Sequence, residues 1–139
     1  MSLLYLLAIV TLLAAESPRA NVQFTADSSD VIKKNIADRK AVLVDVRSEE
    51  EWKQGHIEGS IFLPVTSLRK GGDPKKIAKV LPKDKKTVLY TFCVVGMRAK
   101  TAAYELTKQG YTVRALKPGY EDLLKAGFKK AELKRPAQN

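Results

Sequence analysis

The stretches AVLVDV at residues 41–46 and TVLYTF at residues 87–92 are near-continuous apolar runs rich in β-branched side chains. A strand that is apolar on both faces has to be covered on both faces, so each run predicts an interior strand of a parallel sheet. Around them the period changes. In DSSDVIKKNIADRK, Ile32 and Ile36 form a helical stripe behind Asp27, Ser28 or Ser29, any of which suits an N-cap. Past residue 93, Ala99, Ala102, Ala103, Leu106 and Gly110 follow the spacing of one helix face, and Gly110 suits a left-handed stop. NVQF, IFLP and YTVRAL predict shorter strands, and GYEDLLKAGF predicts a last helix ending at Gly127. Residues 69–86 carry eight basic side chains among turn residues and predict loops with short helices. Strands alternating with helices put residues 21–139 in the α/β class as a single domain without internal repeats.

The amino end stands apart. Residues 3–15, LLYLLAIVTLLAA, are too few to span a bilayer and about right for the apolar core of an export signal. No Lys or Arg precedes them, and no clean small-x-small cleavage site follows. Residues 1–20 are therefore expected to act as a signal-like segment or membrane tether, with the domain exported to the periplasm or secreted. The alternative is an amino-terminal helix that packs on the domain or on a second copy, with a membrane-tethered or cytoplasmic location.

Composition narrows the chemistry. At 139 residues and 45% hydrophobic, the chain is long enough to bury one core without staples. One cysteine and one histidine, Cys93 and His56, exclude an intramolecular disulfide and fall short of a structural zinc site, so no metal or other cofactor is expected. The formal charge of +10 suits an anionic substrate, an anionic surface or plain solubility. Nucleic acid is disfavoured, because no aromatic residues interleave the basic clusters and no helix-turn-helix or finger pattern occurs.

Cys93 sits where the predicted strand 87–92 hands over to the predicted helix. In an open α/β sheet the ligand crevice lies beyond the carboxyl ends of the strands, so its sulfur is expected to line that crevice. The loop CVVGMR can wrap around the sulfur with its backbone N–H groups converging, Gly96 permitting a turn that a side chain would obstruct. Favouring a thiolate by two pKa units takes about 2.7 kcal/mol. A helix terminus supplies about 0.3–1 kcal/mol, so converging amides and the charge of Arg98 are expected to add the rest. The alternative is a buried, inert cysteine behaving as a small hydrophobe.

Here the residues resemble a known family. VLVDVRSEEEWKQGHIEGSIFLP is similar to the first motif of the rhodanese superfamily, with Asp45, Arg47, Glu51, Trp52, Gly55, His56, Ile57, Gly59 and Pro64 in place. CVVGMR resembles its active-site loop, Cys-x-x-Gly-x-Arg, and KPGYEDLLKAGF its closing motif. The departures are Pro118 where a second glycine is common, the absence of the usual tryptophan after Tyr120, and Ala99 where serine or threonine is frequent. The resemblance covers about residues 21–130. It implies a rhodanese-like three-layer α/β fold, with a central, mainly parallel sheet, helices on both faces, and the active-site loop between a central strand and the next helix.

It also implies a reaction. Rhodanese-type sulfurtransferases place Arg five positions after Cys, as Arg98 follows Cys93, whereas phosphatases and arsenate reductases of this fold use a longer loop. A sulfane sulfur would pass from thiosulfate or a similar donor to cyanide or a thiol through a Cys93 persulfide. Cys93 and Arg98 are the expected catalytic residues, with Val94, Val95, Gly96, Met97 and Arg47 lining the active-site loop and Asp45 and His56 as structural support. Asp45 and Arg47 are expected to pair with neighbouring loops, Trp52 to lie in the core, and the lysines of 69–86 to form a solvated face. A protein sulfur acceptor is a further possible partner, and a non-catalytic or relay module docking one protein is the alternative function.

Overall fold

The computed structural model describes residues 21–133; the apolar segment 3–15 lies outside them. The helix α1, Ser29–Ala37, is capped by Ser28, whose hydroxyl accepts from the Val31 amide. Asp27, also a candidate cap, instead accepts from the Tyr90 hydroxyl and from Arg114. There follow β1, Ala41–Asp45, α2, Glu49–Gln54, and β2, Ile61–Phe62. A 3₁₀ segment, Val65–Gly71, precedes α3, Pro74–Val80. The chain then forms β3, Val88–Phe92, α4, Met97–Lys108, β4, Thr112–Ala115, and α5, Tyr120–Lys125.

The four strands pair in the order β2-β1-β3-β4, all parallel, with Val44 opposite Thr91 and Tyr90 opposite Arg114. The predicted strand at NVQF shrinks to a single bridge between Phe24 and Ala115. β1 and β3 are the apolar runs of the sequence, and they occupy the middle of the sheet because only there are both faces covered.

One face of the sheet packs Leu89 and Val44 against Leu68, Ile77, Ala102 and Leu106 from the 3₁₀ segment, α3 and α4. On the other face, Leu43, Tyr90 and Phe92 pack against Ile32 of α1 and Leu123 of α5. The three layers expected from the sequence are therefore present. Ala99, Ala102, Ala103 and Leu106 are all buried, and the small side chains let α4 approach the sheet closely. Helix α4 ends before Gly110, whose φ of 88° is the left-handed value its position required. Every basic side chain of residues 69–86 is exposed. Among the described residues, no helix is long and apolar enough to cross a membrane.

Candidate active site

Cys93 follows the last residue of β3, at the carboxyl edge of the sheet. The Thr91 hydroxyl donates to the Ala99 carbonyl at 2.9 Å, tying the strand end to the first turn of α4. The intervening loop is therefore held short. Gly96, at φ 95°, is the N-cap of α4, and its N–H donates to Cys93 Sγ at 3.1 Å. A Cβ at Gly96 would stand 2.7 Å from the Phe24 ring. On the opposite side, a Cβ at Gly119 would stand 2.0 Å from the Val94 carbonyl oxygen. The Tyr120 amide donates to the Cys93 carbonyl at 2.9 Å. Phe24 and residues 119–120 thus clamp the loop from both sides.

The sulfur is closed over. Cys93 is 1% exposed and belongs to the apolar cluster of Val44, Leu89 and Ala99, which corrects the expectation of a thiol lining an open crevice. The physical cause is the tight turn at Gly96, which folds the loop back over Sγ. Val94, Val95 and Met97 are 46%, 73% and 66% exposed, so their side chains turn to solvent and the backbone walls the sulfur. The Gly96 amide bonds to Sγ, while among the described residues the N–H groups of Val94, Val95 and Met97 make no hydrogen bond. These are donors with capacity for an anion arriving at Cys93.

Arg98 lies near Cys93, as expected, and its guanidinium is also paired. Its Nη1 lies 2.6 Å from Glu51 Oε1 and its Nη2 3.2 Å from Oε2. Glu51 in turn completes the capping box of α2, accepting from the Ser48 amide while the Ser48 hydroxyl accepts from its own. The Arg98 guanidinium beside Glu51, with help from the Ser48 backbone, holds the carboxyl at about 2 against an ordinary 4.5. The reciprocal effect raises Arg98, with a smaller contribution from nearby Cys93. The Ser-x-x-Glu spacing of Ser48 and Glu51 is a capping-box signal in the sequence, but nothing local points Glu51 at Arg98.

Asp45 and Arg47 pair with each other, and Arg47 also reaches the neighbouring loop at Gly55. Arg47 Nε and Nη2 donate to the Asp45 carboxylate at 2.8–3.0 Å, and Nη2 also donates to the Gly55 carbonyl at 2.8 Å. Both side chains are almost fully buried, so the pair is held by its geometry and by the extra carbonyl. The Arg47 guanidinium stacks 4.0 Å above the Tyr120 ring. His56 stacks on Trp52 with centroids 3.7 Å apart, and its Nδ1 lies 3.2 Å from the Trp52 carbonyl, which calls for a proton on that nitrogen. Trp52 itself is half-buried, between His56 and Phe62, and not in either core cluster. Among the described residues no group of three or more His, Cys, Asp or Glu is placed to hold a metal ion.

The structure brings Cys93, Val94, Val95, Gly96, Met97 and Arg98 into one loop, with Arg47 stacked on the Tyr120 ring and Asp45 behind Arg47. It does not bring His56 to the sulfur: its ring nitrogen bonds within its own turn. Phe24, Glu51, Thr91, Gly119 and Tyr120 complete the surroundings. Of these, Glu51 had appeared in the sequence only as a motif position and Tyr120 beside a departure.

Comparison with known proteins agrees with this geometry. The model of the Rhodanese-like domain family matches residues 28–126. The chain is 36% identical over 74 residues, 53% of its length, to the probable adenylyltransferase/sulfurtransferase MoeZ of Mycobacterium tuberculosis. It is 34% identical over 79 residues, 57% of its length, to the tRNA uridine(34) hydroxylase of Staphylococcus aureus. The matched regions span 17% and 24% of those two proteins. The human single-domain sulfurtransferase TSTD1 superposes with a TM-score of 0.57 at 30% identity, over 67% of this chain and 88% of the human one. With the family match spanning the sheet, both helical layers and the Cys93 loop, the chain belongs to the rhodanese-like domain family.

Proposed function

We propose that the protein is a sulfurtransferase that carries a sulfane sulfur on Cys93 as a persulfide. The observation that supports this most is the loop itself: a buried thiol that accepts from the Gly96 amide, beside three loop N–H groups with no other partner among the described residues. Such a cradle stabilises an anionic sulfur without a neighbouring base. The Cys93 thiolate would attack the outer sulfur of thiosulfate or a similar anionic donor. The donor S–S bond breaks and sulfite leaves with its electron pair. A thiophilic acceptor, cyanide or a thiol, then attacks the outer sulfur and releases Cys93 as thiolate. No second cysteine exists to collapse the persulfide into an intramolecular disulfide, so the loaded form waits for an outside acceptor.

The test is intact-mass measurement after exposure to thiosulfate, beside an assay with p-nitrophenyl phosphate. The expected result is a gain of one sulfur that cyanide discharges as thiocyanate, with no phosphate release. A mass that stays at the free thiol refutes it. A second reading, a relay or docking module for one protein, draws support from the exposed Val94, Val95 and Met97 side chains around the sulfur, an apolar rim that a protein partner would cover.

A further inference from the structure

Basic side chains gather at the end of the sheet away from the sulfur. Lys40 directly precedes β1, and its carbonyl accepts from the Val88 amide at the start of β3 at 2.9 Å. The Lys85 carbonyl accepts from the Thr112 amide at the start of β4 at 3.2 Å. Arg39, Lys40, Lys83, Lys85 and Lys86 therefore surround the amino ends of three neighbouring strands, and all are exposed. Lys75 and Lys79 add to them from the outer face of α3, opposite the buried Ile77. Among the described residues the side chains of Arg39, Lys75, Lys79, Lys83 and Lys86 make no hydrogen bond or ion pair. Lys85 is used locally, its Nζ donating to the Gln109 carbonyl at 2.7 Å and lying 4.7 Å from the Tyr111 ring centroid. The acids nearby are engaged: Asp38 pairs with Lys34, and Asp73 and Asp84 accept from the backbone amides of Lys75, Lys76 and Lys86. The surface that remains is strongly positive.

The chain reaches the domain from this same end. The bridge between Phe24 and Ala115, the last residue of β4, is parallel, so residues 22–24 run as β4 does and come from its amino end. The apolar residues 3–15 join the described chain through 16–20. Cys93 follows the far end of β3, whose five residues at about 3.3 Å each place it about 16 Å away. Charge and entry point together select what this end meets. An apolar run too short to span a bilayer and a polybasic surface are each marginal membrane anchors, and they hold firmly in combination. The basic set is nearly all lysine, a hydrated point charge that suits a diffuse anionic surface. Nucleic acid would favour arginine forks and exposed rings for stacking, whereas Tyr111, at this end, is buried. Val80, 45% exposed at the end of α3, adds an apolar contact.

We propose that the amino end of the sheet is a docking face for an anionic lipid bilayer, with the lysines around the strand starts against the headgroups and residues 3–15 entering the same surface. The Cys93 loop, at the opposite end, then faces away from the membrane, open to soluble donors and acceptors. Docking in this orientation fixes where the sulfur site points without touching its chemistry, so the inference stands apart from sulfur transfer.

The experiment measures co-sedimentation of the full-length chain with phosphatidylcholine vesicles, with and without about 30% phosphatidylglycerol. Neutral vesicles report what residues 3–15 contribute by apolarity alone. Anionic vesicles are expected to bind about a hundredfold more tightly, and the difference closes as salt rises from about 50 to about 500 mM. Lys83→Gln with Lys86→Gln lowers binding to anionic vesicles roughly twentyfold, at about fivefold per charge, and leaves Cys93 loading unchanged. Lys53→Gln with Lys117→Gln removes the same charge at the Cys93 end and leaves binding as it was. Trp52, the single tryptophan, sits beside Phe62 at the carboxyl end of the sheet, so bromine-labelled lipid does not quench its fluorescence in the bound chain. Equal binding to both kinds of vesicle, equal losses in the two paired variants, or quenching of Trp52 overturns the proposal. Tighter retention by double-stranded DNA than by anionic vesicles at the same salt, lost in the Lys83 and Lys86 pair, assigns this end to nucleic acid and overturns it too. None of these readings depends on sulfur, so a chain that never loads Cys93 fails the sulfurtransferase reading alone.

Discussion

Arg98 and Glu51, 47 residues apart, form a two-point pair in which both guanidinium Nη atoms meet both carboxylate oxygens, at 2.6 and 3.2 Å. The pair joins the first turn of α4 to the first turn of α2, and so braces the sulfur loop against the segment that carries Arg47. Arg98 therefore acts first as a strut whose charge is answered, and the backbone is left as the main stabiliser of an anion at Cys93. Replacing Arg98 by Ala leaves the Glu51 carboxylate half-buried without its partner. The expected cost is about 1 kcal/mol of stability together with a partial loss of thiosulfate turnover, and Lys, which lacks the planar fork, restores only part of either. Chemical denaturation and turnover of the two variants check this; wild-type behaviour in Arg98→Ala refutes the strut.

The same pair sets a pH dependence. Glu51 is held at about 2 in the fold against an ordinary 4.5. Because the folded value is the lower one, the stabilisation is fully present above pH about 4.5 and is lost as the pH falls toward about 2. Thermal midpoints measured across that window should fall more steeply for the wild type than for Glu51→Gln, and parallel curves would contradict the assignment.

Cys93→Ser is expected to abolish sulfur loading and to keep the fold, since serine retains an acceptor for the Gly96 amide in nearly the same volume. Cys93→Ala should also be inactive but less stable, by about 1–2 kcal/mol, because it leaves a buried N–H unpaired and a small void. Intact mass after thiosulfate and urea unfolding separate the two effects.

Gly119→Ala inserts a methyl where the Val94 carbonyl stands 2.0 Å away. Backbone cannot yield as a flexible side chain would, so the loop over Cys93 has to shift. Loss of sulfur transfer by at least about tenfold is expected, with stability lowered by about 1–3 kcal/mol. An active Gly119→Ala chain would show that the loop tolerates displacement.

Removing residues 1–20 is expected to leave loading of Cys93 intact, because the sheet, both core clusters and the site lie within residues 22–128. Aggregation or inactivity of the shortened chain would make the segment part of the working domain.

Much of this molecule was legible before any coordinates. The strands at 41–46 and 87–92, the buried stripe of α4 and the stop at Gly110 all rest on local periodicity and on backbone preferences that act over a few residues. NVQF misled, because a four-residue stretch alternating polar and apolar residues at the sheet edge forms only the Phe24 bridge. Trp52 misled too, since its aromatic neighbours His56 and Phe62 shelter it near the surface rather than in the core.

The sequence by itself determined the layered parallel fold and the presence of one thiol at the junction of a central strand and a helix, five positions before an arginine. Those are consequences of pattern and spacing along the chain. Only the tertiary structure decided that the sulfur is covered, that Arg98 answers Glu51, that Arg47 answers Asp45, and that Lys40 and Lys86 both stand at the end of the sheet away from Cys93. Each depends on where strand register and helix packing bring residues tens of positions apart, and a charge or hydroxyl takes whichever partner lies within about 3 Å once the backbone is in place. Periodicity carries no record of that choice.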